Sequence, residues 1–166
     1  MGVLGGWGKV VFQVHFFPDG RHALACGTDA SFRVLNVNTG REVRRFTGRT
    51  LPAWPTGALS RDGKIALTNT EASLDVWDAE TGHHLRSFKG LLPGVLTSNV
   101  SSSPDGHRGL VGTNGGAVLL WDAKIGKTIA TFRHGKGSVR ATAFSPDGRR
   151  ALTASEDGSL QLWRLP

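Results

Sequence analysis

Histidine stands at positions 15, 22, 83, 84, 107 and 134, and the chain holds one cysteine, Cys26. Metal chemistry needs such donors on one face, for example two histidines four apart with acids nearby. No pair here has that spacing. His83 and His84 are adjacent in a turn, where neighbouring side chains point opposite ways once a strand begins, so a solvated turn is expected. His15 takes a place held by Ala58, Ser101 and Ala143 in comparable segments. Without an orienting acid it is a poor general base and reads as a polar lining residue. Cys26, in "ALACG", reads as a small buried apolar residue. No G-x-S-x-G elbow, phosphate loop or G-x-G-x-x-G stretch occurs. Asp29, Glu71 and Asp157 read as turn residues rather than a catalytic pair. The expectation is a non-enzyme with no catalytic residue, no metal site and no cofactor.

Charge suggests a binding role instead. Twenty Lys and Arg face thirteen Asp and Glu, a net +7. The densest cluster, "REVRRFTGR", holds Arg41, Arg44, Arg45 and Arg49. It reads as a solvated face, with a patch for nucleic acid or another polyanion as the alternative. Hydrophobic content of 39% and charged content of 20% are those of a globular chain. No apolar run is long enough for a membrane span. The opening "MGVLGGWGKV" lacks a secretory apolar core and has Gly6 where an acylation signal needs Ser or Thr. A single cysteine leaves no internal disulfide. The default compartment is cytoplasmic, by absence of targeting signals.

The elements that position these residues come from a repeat. "FPDG", "SRDG", "SPDG" and "SPDG" end at Gly20, Gly63, Gly106 and Gly148, at spacings of 43, 43 and 42. Pro presets φ, Asp tolerates the third turn position and Gly accepts φ > 0. Downstream lie "FRVLN", "LDVWD", "VLLWD" and "LQLWR", which align in columns. One column holds Phe32, Leu74, Val118 and Leu160, the next Val34, Val76, Leu120 and Leu162. A third holds Leu35, Trp77, Trp121 and Trp163. Eleven residues later stand Phe46, Phe88 and Phe132, and the fourth unit has no counterpart. Each unit of about 42 residues thus carries four short strand positions, A to D. The approximate units are 9–49, 50–91, 92–135 and 136–166, with 1–8 as an N-terminal stub. An all-β chain is expected, with sheets buried on both faces because "VLLW" is apolar throughout.

These motifs resemble the WD40-repeat family of β-propellers, on "LDVWDAETG", "VLLWDAKIG" and "AFSPDGRRALTASEDGSLQLW". The resemblance implies four-stranded blades with A nearest the axis, and a role in protein interaction or scaffolding. It also implies a hydrogen-bonded network joining a His before strand A, an acid in the B–C loop, a Ser or Thr and the Trp. Only His134 stands near the His position, one place early. Asp29, Glu71 and Asp157 hold the acid slot, and Gly115 replaces it in unit three. The network is expected to be incomplete in every blade, leaving packing to hold them.

Family rings hold about seven or eight blades within a range of four to eight, so four blades suggest about half a circle. Residues 1–4, "MGVL", would supply only a stub of the missing outer strand. The first expectation is a homodimer forming an eight-bladed ring. A fragment or engineered piece of a larger propeller and a four-bladed or otherwise different closure are the alternatives. The D–A and B–C loops would share one rim, where Trp7, Arg49, Trp54, Lys89, Leu91, Leu92 and Lys136 put large apolar groups among cations. An unidentified protein or peptide is the expected partner there, and no membrane is.

Overall fold

In the first unit, the Asp19 Oδ1 atom accepts the Arg21 N–H at 2.8 Å. Asp62, Asp105 and Asp147 accept the N–H groups of Lys64, His107 and Arg149 in the same way, each at 3.0 Å. Ser60, Ser103 and Ser145 donate their hydroxyls to those three aspartates at 2.5–2.6 Å. Phe17 replaces the Ser in unit one, and there the His22 ring meets Asp19 at 2.6 Å. Gly20, Gly63, Gly106 and Gly148 follow at φ between 64° and 72°, the left-handed region that a side chain disfavours. One local device therefore reverses the chain four times.

The structure is a computed structural model that describes residues 10–27, 31–47, 56–69, 73–89 and 97–166, without the side chains of residues 12, 47, 89, 97 and 98. Every described element is a strand. The first sheet joins β1 (Val11–Phe16), β2 (His22–Gly27), β3 (Ser31–Asn36) and β4 (Glu42–Thr47) in that order. The second joins β5 (Gly57–Leu59), β6 (Ile65–Asn69), β7 (Ser73–Asp78) and β8 (His84–Lys89). The third joins β9 (Thr97–Ser102), β10 (Arg108–Thr113), β11 (Ala117–Asp122) and β12 (Lys127–Arg133). The fourth has three strands, β13 (Val139–Phe144), β14 (Arg150–Ser155) and β15 (Leu160–Arg164). All pairings are antiparallel meanders, and each third–fourth strand pair slips by one residue beside Leu35, Trp77 or Trp121. This is a four-blade propeller arrangement.

The sheets bury apolar surface between them, in three cores. Leu24, Phe32, Val34 and Phe46 of the first sheet meet Ala66, Trp77 and Ala79 of the second. Leu67, Leu74, Val76 and Phe88 meet Val100, Val111 and Trp121. Leu110, Val118 and Leu120 meet Val139, Ala151 and Leu165. The middle sheets are buried on both faces, and β7 and β11 are shielded along their centres. β15 instead alternates exposed and half-buried residues, because one face of the fourth sheet has no sheet upon it. The side-chain period of two then shows directly.

Candidate functional site

Each internal interface repeats one aromatic contact. Phe46 stacks on Trp77 with centroids 5.5 Å apart, Phe88 on Trp121 at 5.8 Å, and Phe132 lies tilted on Trp163 at 5.1 Å. The Phe column of one sheet therefore meets the Trp column of the next. Such pairs add about 0.5–1.5 kcal/mol beyond the area they bury. Arginines clip the same junctions: Arg44 donates to the Ala79 carbonyl at 3.0 Å, Arg86 to that of Lys124, and Arg108 to that of Gly148 at 2.7 Å. On the inner strands, Gln13 accepts the Gly57 N–H and Asn99 accepts the Thr142 N–H, each at 3.0 Å.

The indoles also need acceptors. The Trp77 Nε1–H donates to Thr68 and that of Trp163 to Thr153, both at 2.8 Å. In the fourth sheet the bonding continues. Thr153 Oγ1 lies 2.6 Å from His134 Nδ1, His134 Nε2 lies 2.8 Å from Ser159 Oγ, and Ser159 donates to Asp157 at 2.6 Å. One direction of donation, from Trp163 through Thr153, His134 and Ser159 to the Asp157 carboxylate, satisfies every group. His134 is 3% exposed. The expectation that the network would be incomplete in every blade is corrected here: the one-residue offset of His134 still delivers its ring, and Ser159 spans the remaining gap to the acid. The first three sheets show no such chain of bonds among their described residues.

The rim residues fall mostly outside the described residues: Trp7, Arg49, Trp54, Leu91 and Leu92 do, as do the Lys89 side chain and the turn acids Asp29 and Glu71. Lys136 is exposed between β12 and β13. Around it, loops before strand A and between strands B and C knit together. Glu156 N–H donates to the Ser138 carbonyl at 2.9 Å, and the Arg140 Nε–H donates to the Glu156 carboxylate at 2.8 Å.

Of the basic cluster, Arg49 lies outside the described residues. Arg44 and Arg45 alternate along β4. Arg44 is engaged with Ala79, and Arg45 grips Glu42 in a two-pronged contact at 2.8 and 2.9 Å. Arg41 is exposed at the start of the strand. Desolvation of the His15 ring lowers its pKa, with a backbone hydrogen bond to Gly57 opposing. Burial pushes the Cys26 thiol up to about 12, which keeps it an unreactive thiol. His84 and Ser87 meet through the same nitrogen, Nε2, that faces Asp75. That geometry cannot relay a proton from serine through the ring to an acid.

Among the described residues, the fourth sheet has an uncovered apolar face. Leu152, Leu160 and Leu162 are 44%, 68% and 64% exposed. Their counterparts Leu24, Phe32 and Val34, Leu67, Leu74 and Val76, and Leu110, Val118 and Leu120 are at most 3% exposed.

Residues 126–164 match the family model described as "WD domain, G-beta repeat". That match falls on β12 to β15, the segment holding the Trp163–His134 bonding, and the other three sheets repeat its strand order. The chain belongs to the WD40-repeat family. Among curated relatives, the nuclear distribution protein PAC1 of Arthroderma benhamiae is 30% identical over 131 residues, covering 72% of this chain and 28% of that protein. The PAC1 protein of Trichophyton verrucosum gives the same figures. The transcription initiation factor TFIID subunit 5 of Caenorhabditis elegans is 26% identical over 140 residues, covering 84% and 21%. The chain thus spans less than a third of the length of these relatives. At the family level, WD40 repeats support a protein-interaction scaffold. Among the described residues no helix is long and apolar enough to cross a membrane. Sequence reasoning found the WD40 columns, and four blades spanning about half a circle already implied terminal sheets with an uncovered face.

Proposed function

We propose that this WD40 chain is a non-enzymatic protein-interaction scaffold whose free fourth-sheet face docks on the outer face of the first sheet in a second copy. Two arcs of four sheets would then enclose one axis, an arrangement in which the same two faces meet at both junctions. The observation that carries it is the exposure of Leu152, Leu160 and Leu162 in columns elsewhere shielded. Burying one such side chain contributes about 1.5–3 kcal/mol. On the first sheet the inner strand is the open part: Val14 and Phe16 are 56% and 69% exposed, where Val100, the counterpart of Val14, is 2% exposed, while Ala23, Ala25, Arg33 and Leu35 on the same face are at most 8% exposed. Proteins other than a second copy would dock on the loop rim around Lys136.

Light scattering tests the pairing. The expected solution mass is twice the chain's 17.7 kDa, falling to the single-chain value in an L160E/L162E variant. A wild-type chain that stays at the single-chain mass overturns the docking.

A further inference from the structure

The repeat changes sign at one cross-strand position. The residues that open strand B and close strand C face each other as His22 and Asn36, Ile65 and Asp78, and Arg108 and Asp122. In the fourth sheet the pair is Arg150 and Arg164. Arg164 stands where Trp77 and Trp121 are followed by an acid. Directly opposed like charges on neighbouring strands repel, so this pair invites an anion between or beside its guanidinium groups.

A cavity of about 640 Å³ lies at the same place, lined by Arg108, Arg149, Arg150 and Arg164, with Asp147 as its one acidic side chain and Pro166, the last residue of the sequence, also on its wall. The Asp147 Oδ1 atom already accepts the Ser145 hydroxyl at 2.5 Å and the Arg149 N–H at 3.0 Å. Arg108 is fixed across the sheet junction, donating to the Gly148 carbonyl at 2.7 Å and to a main-chain oxygen of Pro166 at 3.3 Å. Among the described residues, no carboxylate pairs with the guanidinium nitrogens of Arg149, Arg150 or Arg164. All three are exposed at the mouth. Guanidinium groups match phosphate oxygens two at a time, and the volume suits a small ligand.

We propose that this cavity binds a multiply charged phosphate group, as a free diphosphate or as the phosphorylated headgroup of a lipid. The site is formed within one chain, but Arg150 and Arg164 share the fourth-sheet face with Leu152 and Leu162, so binding is also read in the single-chain L160E/L162E variant.

Titration calorimetry of the full chain with inorganic pyrophosphate at low salt tests it. The expected result is saturable binding of one pyrophosphate per chain. R164D, which restores the acid of the second and third units, and R150Q each weaken binding by about tenfold or more. A variant changed to Gln at Arg41, Arg44 and Arg45 keeps its affinity within about twofold. Pyrophosphate raises the thermal midpoint of the wild type but not of R164D, whose own folded transition serves as the control. Flotation with phosphatidylcholine vesicles, with and without a phosphoinositide, separates the sources: Arg164-dependent co-flotation assigns the group to a lipid, and pyrophosphate binding without co-flotation assigns it to a soluble ligand. Absence of saturable binding, or equal weakening by the Arg41, Arg44 and Arg45 changes, overturns the site.

Discussion

Among the described residues the buried indole nitrogen of Trp121 has no hydrogen-bond partner, and Val111 holds the position from which a threonine would serve it. In the second and fourth sheets that position is Thr68 and Thr153, each 2.8 Å from its own tryptophan's nitrogen. An unsatisfied buried donor costs about 1–3 kcal/mol.

Val111→Thr is nearly the same size and places a hydroxyl where the other sheets have one. It is expected to stabilise the chain by about 0.5–1.5 kcal/mol, read as a higher denaturation midpoint. The reverse change, Thr68→Val, orphans Trp77 and is expected to cost about 1–3 kcal/mol. Destabilisation by Val111→Thr as well as by Thr68→Val would show that the fit of the native side chain at each site, and not an acceptor for the indole, decides the outcome.

The fourth sheet makes a second expectation. Trp163, Thr153, His134, Ser159 and Asp157 share one chain of donors and acceptors, so deleting one member leaves its neighbours unpaired. His134→Phe keeps an aromatic ring of similar shape against Trp163, and Thr153→Val keeps the volume. Each alone is expected to cost about 1–3 kcal/mol. The double variant should cost less than the two together, with a coupling of about 0.5–3 kcal/mol. Additive losses in a denaturation double-mutant cycle would mean that the bonds act independently.

The turns and columns were legible because local chemistry dictates them. Asp and Gly at fixed places in "PDG" serve the turn's own backbone, and the Trp and Phe columns recur at the period of one sheet. What crosses between sheets was harder to read. His134 reaches Thr153, 19 residues on, and Ser159, 25 residues on, so its place in the sequence alone misled. The Arg150–Arg164 opposition appears only once the register of β14 and β15 is known, although the change from Trp-Asp to Trp-Arg was visible in the letters. Arg44 and Arg45 are adjacent in sequence, but alternation along β4 gives them different partners, Ala79 and Glu42.

Acid should act on this fold through the turns. The Ser60 hydroxyl and the Lys64 N–H hold the Asp62 carboxyl below its ordinary pKa. Burial raises that of Asp105, but hydrogen bonds from Ser103 and His107 outweigh it and the net direction is down. Asp147 is lowered by Ser145 and then by the Arg149 N–H, and Asp19 by the His22 ring and then the Arg21 N–H. A carboxyl whose folded pKa is depressed contributes stability above its unfolded value, about 3.9 for aspartate, and loses it as pH falls through the lower folded value. Urea midpoints are therefore expected to decline modestly from about pH 6.5 to about 5, because burial holds the His15 ring neutral, and to drop more steeply below about 4 as the turn carboxylates protonate. Replacing Asp62, Asp105 and Asp147 together by Asn keeps an oxygen for the turn N–H groups but removes the charge. That variant should be less stable at pH 7 and show a shallower acid decline, so that its curve approaches the wild type at low pH. Parallel curves from pH 7 to pH 3 would place the acid sensitivity in other groups.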